Sequence, residues 1–321
     1  ELATLLKAGH SIRFCAKQLG FDHSAIGREI NRNKDEDGVY RGASAHRKYL
    51  ERRKKSKVGS RKIENDKKLK RYIKKRLKKR DSPDQIAGRI KLMSQYQNVS
   101  YETIYKWIFN EHPELKKYLR RISHKGKYRR SRGTAAREKA REQAKVKRID
   151  TRPAVVEERI RLGDWEGDTI VGKCKKKRIL TNVDRRSGYG LIDKMDIVTW
   201  EIAHSMLEKR FNSIPKNKRH TYTYDNGTEI GKEDTSLERK IKMDVYRAFP
   251  YHSWERGSNE NYNGLIRDFF PKGTDFAAIS IEDVKYVERN LNHRPRKRLG
   301  YLTPHEVFVL DMKPSAVQTR M

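Results

Sequence analysis

Cysteine is nearly absent from this 321-residue chain: Cys15 and Cys174 are the only two. They lie far apart and form no CxxC pair or Cys/His cluster. That argues against a zinc site or a structural disulfide and suits a reducing cytoplasm. Long apolar runs are missing as well. No stretch approaches transmembrane length, no secretory signal is visible, and no amphipathic stripe is long enough to hold a membrane surface. Acidic residues are scarce relative to basic ones, 42 Asp+Glu against 76 Lys+Arg, a formal net charge of +34. The first residue is Glu1, so a trimmed natural N-terminus is expected.

The basic excess is uneven. Residues 1–150 hold 44 Lys+Arg and 17 Asp+Glu, a net +27, whereas residues 151–321 carry only +7. A polyanion, with DNA or RNA as the first candidate, is the partner such a half would take. A ribosomal or histone-like protein is the plain alternative, but it rarely carries a second, near-balanced domain. The hydrophobic fraction, 35%, allows modest cores, and the length allows two or three domains.

In the basic half, Ser11 can cap a helix with Ile12, Phe14, Cys15, Ala16 and Leu19 as its apolar positions, and Gly20 stops it. After a short turn, Ser24 opens a second helix with Ile26 and Ile30 inward and Arg28 and Arg32 outward. Helix, turn and basic helix form a helix-turn-helix pattern; a plain helical hairpin reads the same way. Residues 51–81 form a basic helical linker in which Leu69, Tyr72, Ile73 and Leu77 recur at helical spacing. Residues 82–120 repeat the theme. Ser82, Pro83 and Gln85 make a strong helix start, with Ile86, Ile90 and Leu92 following. Ser100 caps "YETIYKWIFN", with Ile104, Trp107 and Ile108 inward and Tyr101, Glu102, Tyr105 and Lys106 free to face a groove. Residues 121–153 are polar and basic, and read as a linker that orders on DNA.

From 154 to 321 the texture changes to an α/β domain with a mixed sheet. "DWEGDTIVG", "RILTNVDRRSGYGLIDKMD", "HTYTYDNG" and "DVYRAFPY" are strand-like, and two amphipathic helices, "TWEIAHSMLEKRFNSI" and "GSNENYNGLIRDFF", lie among them. "GDWEGDTIVGK" places Asp164, Glu166 and Asp168 at alternate positions. On a strand they share one face, which is repulsive unless a cation sits there. Asp168 on that strand, Asp225 at the tip of a later one, and Glu260 near a helix start form a candidate set of hard oxygen ligands. Such ligands suit Mg²⁺, and two ions about 4 Å apart can activate an attacking oxygen and stabilise a leaving one. Spacing alone does not single these acids out. Asn259 and Asn263 could bind a phosphate backbone, as could Arg267, two helical turns after Glu260; an ordinary surface Arg is the alternative. Asp184 competes as a ligand, though a salt bridge with Arg185 or Arg186 is the preferred reading. Glu166 is read as a supporting or ion-paired acid and Asp164 as peripheral. Lys175 and Lys176 in "KCKKKR", and the run "RPRKR" at 294–298, could grip DNA or be solvated loops. Trp254 could stack on a base or wedge a step.

The blocks "DWEGDTIVGK", "YDNGTEI", "ERGSNENYNGLIRDFFPKGTDF" and "LNHRPRKRLGYLTPHEVF" resemble the signature blocks of insertion sequence 30 family transposases. "GHSIRFCAKQLGFDHSAIGREINRN" and the 82–109 segment are similar to that family's two helix-turn-helix units. The likeness runs through nearly the whole chain, in order. Asp164 stands where the family commonly has His, and "TEI" lacks the usual aromatic. The resemblance implies Asp168, Asp225 and Glu260 as catalytic acids of a ribonuclease-H-like, retroviral-integrase-like core. It also implies two Mg²⁺ ions, for which Mn²⁺ can substitute.

These observations lead to the expectation of a DNA transposase in a bacterial cytoplasm, associated with the nucleoid. Helix-turn-helix domains at 1–50 and 82–120 would bind terminal inverted repeats, with Arg28, Arg32, Tyr101 and Lys106 on DNA. The domain at 154–321 would cut a strand and transfer the freed 3′-hydroxyl to target DNA. A homodimer or larger assembly would pair two ends. A structure-specific nuclease and a non-catalytic DNA-binding repressor are the alternatives. A tyrosine recombinase has no use for the acid set.

Overall fold

The computed structural model describes residues 1–56, 62–119, 147–174, 176–225, 230, 234–248 and 257–313. They fall into two units, Glu1–Lys70 and Arg71–Met321.

The first unit is helical: α1 (Leu2–Lys7), α2 (Ile12–Leu19), α3 (His23–Asn33), α4 (Gly42–Ser56), α5 (Lys62–Asn65) and the start of α6 (Lys67–Lys78). Ser11 accepts a hydrogen bond from Phe14 N, and Gly20 ends α2 at φ +69°, a left-handed backbone that favours glycine. The second helix opens two residues earlier than expected. Asp22, not Ser24, is its cap, and the Asp22 carboxylate accepts from Ser24 N at 2.8 Å. Cys15, Ala16 and Ile26 are buried, while the apolar Ile12 and Phe14 are exposed. Helix α4 crosses the expected boundary at residue 50. Leu69, Ile73 and Leu77 along α6 are fully buried, so the supposed linker contains a packed helix.

The second unit begins with the rest of α6, then α7 (Pro83–Ile90) and α8 (Tyr101–Asn110). Ser82 and Gln85 close the capping box with Pro83 at the first turn. Ile86, Ile90, Ile104, Trp107 and Ile108 form the inner faces; Leu92 is exposed. The expected linker at 121–153 lies outside the described residues except for its last part, 147–153.

After α9 (Val155–Glu158) comes the sheet: β1 (Asp164–Val171), β2 (Arg178–Asp184), β3 (Gly190–Met195), β4 (Thr221–Tyr224) and β5 (Asp244–Arg247). Its order is β3-β2-β1-β4-β5. β1 is antiparallel to β2, β2 antiparallel to β3, and β4 parallel to both β1 and β5. This is the mixed sheet of the ribonuclease-H-like class. Helices α10 (Trp200–Asn212) and α11 (Asp234–Ile241) cover one face, and α12 (Gly257–Ile266) and α13 (Ile281–Asn292) the other. The two-residue period of a strand sorts the side chains. Trp165, Leu180, Tyr222, Tyr224 and Val245 pack with Leu207, Phe211 and Leu237; Ile170, Ile179, Val183 and Ile192 pack with Tyr262, Leu265 and Val287. Gly167 is needed where it stands, because a Cβ there would meet the Tyr222 hydroxyl at 1.9 Å. The last described helix is α14 (Pro304–Phe308).

The "RPRKR" run is not a free basic loop. Arg294 is 3% exposed and donates through Nε to Gln85 Oε1 at 2.9 Å. Arg296 donates to the Leu291 carbonyl and Arg298 to that of Arg186.

Candidate active site

The three carboxylates that share a face of β1 have three different partners. Asp164 is 1% exposed. Arg161 donates to both its oxygens at 2.9 Å, and Thr221 Oγ1 donates at 2.8 Å. It therefore ties β1 to β4 and is not peripheral.

Glu166 is fully buried and ion-paired with Arg185 at 2.9 Å. Its other oxygen accepts from the backbone N–H of Asn259 at 2.9 Å. A buried carboxylate needs such partners, and a helix N-terminus is a favourable place for one. Burial pushes the Glu166 carboxyl above its usual range, with Arg185 and the Asn259 N–H pulling the other way. Arg185 also pairs with Glu157 at 2.9 Å, and the buried Arg152 donates to Thr223 Oγ1 at 2.8 Å. Glu166 thus pins the first turn of α12 onto the sheet.

Asp168 is half-buried, two residues further along. Asn263 of α12 donates to its Oδ2 at 2.9 Å, and Thr169 N donates to its Oδ1 at 2.8 Å. Thr181, directly across the ladder, gives its hydroxyl to Asn263 Oδ1 at 2.9 Å. The amide expected on a phosphate backbone is instead used within the protein to hold Asp168.

Asp225 follows the last residue of β4 and is half-buried. The parallel ladder pairs Asp164 with Thr221 and Glu166 with Thr223. One more step of two residues brings Asp168 opposite Asp225. Their separation in sequence is the ladder offset itself, so both carboxylates belong to one face. Glu260 lies in the first turn of α12, three positions before Asn263 and on the same helical stripe. Its side chain is exposed. Among the described residues no three His, Cys, Asp or Glu side chains gather closely enough to hold a metal ion. The strand pair is in step, and Glu260 stands one turn away with its carboxylate outward. By chemistry these three hard oxygen donors fit a hard divalent cation.

Asp184 is excluded from this group by parity. It pairs with Trp165 in the ladder and so faces the opposite side of the sheet from Asp168. It is fully buried and bonds to Ser187 N, Ser187 Oγ and Gly163 N rather than to Arg185 or Arg186. Burial raises its pKa, and the Ser187 and Gly163 donors oppose that. Arg185 pairs with Glu166 and not with its sequence neighbour; the alternation along β1 and β2 was the signal that could have found it.

Arg267 donates to the Val171 carbonyl at 2.8 Å and lies 5.9 Å from the Phe276 ring centre. It is tied to the end of β1, not left free in solvent. Arg28 and Arg32 lie exposed on α3, and Tyr101 and Lys106 are exposed on α8. Lys176 is exposed in the β1–β2 connection. Lys175 and Trp254 lie outside the described residues. No described helix is long and apolar enough to cross a membrane.

The chain is 42% identical over 315 residues to the transposase for insertion sequence element IS4351 of Bacteroides fragilis, covering 96% of this chain and 92% of that protein. It is 33% identical to the transposase for IS1086 of Cupriavidus metallidurans, over 93% of this chain and 88% of that one. Against transposase InsI for insertion sequence element IS30A of Escherichia coli K12 the identity is 31%, over 96% and 81%. No family model matches. The catalytic core domain of BIV integrase superposes with a TM-score of 0.37 at 16% identity, covering 46% of this chain and 93% of that one. The fold here is defined by its own strand order, not by that superposition.

Proposed function

Because this chain belongs to the insertion sequence 30 family of transposases, an enzyme class that cuts and joins DNA, we propose that Asp168, Asp225 and Glu260 form its reaction centre. The supporting observation is the register: Asp168 and Asp225 occupy equivalent positions on neighbouring parallel strands, and the helix carrying Glu260 is bonded to Asp168 through Asn263. These three acids would hold two divalent cations, Mg²⁺ by the hardness of the donors. When bound, such ions polarise a phosphodiester and activate the attacking oxygen.

The remaining roles belong to the chain. Asn263 and Thr181 orient Asp168. Glu166, paired with Arg185, holds the first turn of α12, the turn that carries Glu260. No covalent side-chain nucleophile is required. The outward faces of α3, with Arg28 and Arg32, and of α8, with Tyr101 and Lys106, would read the terminal inverted repeats. Phosphate contacts would supply affinity and a steep salt dependence. Two protein copies would bring two element ends together.

The test is a cleavage and joining assay on labelled DNA bearing the element's own ends, with Mg²⁺ or EDTA, wild type beside Asp225→Ala. Metal-dependent nicking followed by joined products, both lost in the variant, is the expected result. Nicking without joining would indicate a nuclease. Tight binding with neither would leave a DNA-binding protein and remove the roles of the three acids.

A further inference from the structure

A second feature lies beside α12, away from the carboxylates. A cavity of about 140 Å³ is lined by Arg159, Arg296 and Arg298, by Ser258 in the first turn of α12, and by Tyr262. Among the described residues no Asp or Glu lines it. Three guanidinium groups around one small space repel one another unless an anion sits between them. Burial, and then the neighbouring Arg294 and Arg298, pull the Arg296 pKa down to about 9.

Two further observations point to a missing ligand. Tyr262 is 2% exposed, yet its hydroxyl has no hydrogen-bond partner among the described residues. Ser258 Oγ is likewise buried without a partner. Buried hydroxyls in folded proteins are nearly always bonded. The N-terminal turn of the ten-residue α12 adds the positive end of a helix dipole. The arginine heads are set by the backbone. Arg298 donates to the Arg186 carbonyl and lies over Gly188, where a Cβ would stand 2.7 Å from its Nη2. Each guanidinium has five N–H donors, so donors remain after these contacts.

We propose that this cavity binds a phosphate group, and that its occupant in the working protein is a backbone phosphate of the DNA strand being processed. Arginine forks match phosphate oxygens, and the Tyr262 and Ser258 hydroxyls complete the donor set. Glu260 lies in the same first turn of α12, so a strand gripped here runs directly past the candidate reaction centre. Arg159, Arg296, Arg298 and Tyr262 are then positioning residues for the substrate. The inference rests on the reading of this chain as an enzyme acting on DNA.

The test uses the full chain and two probes. The first is sodium phosphate against sodium chloride at matched ionic strength, read as a thermal shift. The second is a duplex of about 30 base pairs, with binding followed across salt concentration. Variants are Arg298→Gln and Tyr262→Phe; the latter removes one hydroxyl and keeps the ring packed over Gly190. Phosphate is expected to raise the melting temperature of the wild type more than chloride does, and both variants to shrink that difference. Arg298→Gln is also expected to reduce the slope of log affinity against log salt by about 0.9, the loss of one phosphate contact. A phosphate-specific shift with an unchanged slope would overturn the DNA backbone as the occupant. No phosphate-specific shift in the wild type would overturn the site altogether. Wild-type protein that cuts and joins DNA while failing this test loses only the phosphate pocket. Wild-type protein that fails to cut with Mg²⁺ fails the functional reading itself.

Discussion

Arg89 of α7 and Glu306 of α14, 217 positions apart, face each other through two parallel hydrogen bonds of 2.8 and 2.5 Å. The contact is one of several along the same seam. The Tyr301 ring rests on Gly88, its hydroxyl bonds to Asp84 at 3.2 Å, and Arg294 reaches Gln85. Arg76 pairs with the buried Asp81 and donates to the His293 carbonyl at 3.0 Å. The α7–α8 pair is therefore fastened to the segment that follows α13 of the α/β part of the second unit. The face of α8 proposed to read DNA, held this way, keeps a fixed relation to the strand carboxylates.

Breaking that seam should loosen the relation. Arg89→Met is expected to cost about 2 kcal/mol, the scale of a charged hydrogen-bonded pair. It should also broaden the position of the cut on end-labelled DNA. The reciprocal exchange, Arg89→Glu with Glu306→Arg, should restore a single cut position. Melting temperature and a sequencing-gel readout check the two halves. A variant that loses stability but still cuts at one position would show the seam to be purely structural.

The same pair predicts a pH dependence. Burial works to raise the Glu306 carboxyl, but hydrogen bonds from Arg89 and Thr303 outweigh it and hold the pKa below the usual range. A depressed carboxyl stabilises the fold fully above its unfolded value, about 4.3, and that stability is lost as pH falls through the folded value. The stability gap between wild type and Arg89→Met should be constant from about pH 6 to pH 8 and close below about pH 4. Denaturant titrations across that range test it.

Asn263→Ala should leave Asp168 present but without its hydrogen bond to α12. Misplacement of a reacting group by about 1 Å can cost on the order of 100-fold in rate. Activity is expected to fall by about that factor with little change in DNA affinity. Asn263→Asp should be worse near neutral pH, since it sets one carboxylate against another, and should recover partly on acidification. Single-turnover cleavage rates separate this from a loss of binding.

Glu166→Ala would strand Arg185 beside Glu157 alone and free the first turn of α12. Removing one partner of a buried pair costs about 3–5 kcal/mol. Glu166→Gln keeps an acceptor for Asn259 N and should cost less. If Glu166→Gln folds well and cuts normally, the charge of this residue has no part in placing Glu260. Chemical denaturation and the cleavage assay give both numbers.

On α8, Lys106→Ala should weaken binding to all duplexes about equally and lower the salt slope by about 1. Tyr101→Ala should instead alter preference among end sequences. A competition assay with the element's own ends and unrelated DNA distinguishes the two.

Several local features are legible in the residue order alone. Ser11, Ser82 and Ser100 cap the helices that follow them, and Gly20 ends α2 with the left-handed backbone its position implies. Caps are local, since the donor lies within three residues of the acceptor. Asp22 and Ser24 are ambiguous because either side chain can close that turn; the backbone chose Asp22. Helices α11 and α13 go beyond the two helices the sequence marks among the strands. Ser280 and Asp283 form a capping box that could have marked the start of α13. What the apolar faces of both helices pack against is defined by what the sheet presents to them.

The sequence by itself determined the line of carboxylates on one face of β1, the helix starts in the basic half, the charge division, and the blocks shared with the transposases. All of these depend on near neighbours or on alternation, which the order of residues fixes directly. Only the tertiary structure decided which partner each acid takes: Arg161 for Asp164, Arg185 and the start of α12 for Glu166, Asn263 for Asp168, and the Ser187 turn for Asp184. A buried charge is satisfied by whatever donor lies within about 3 Å in space. That distance is set by strand register and helix packing between residues tens of positions apart, which no local pattern records.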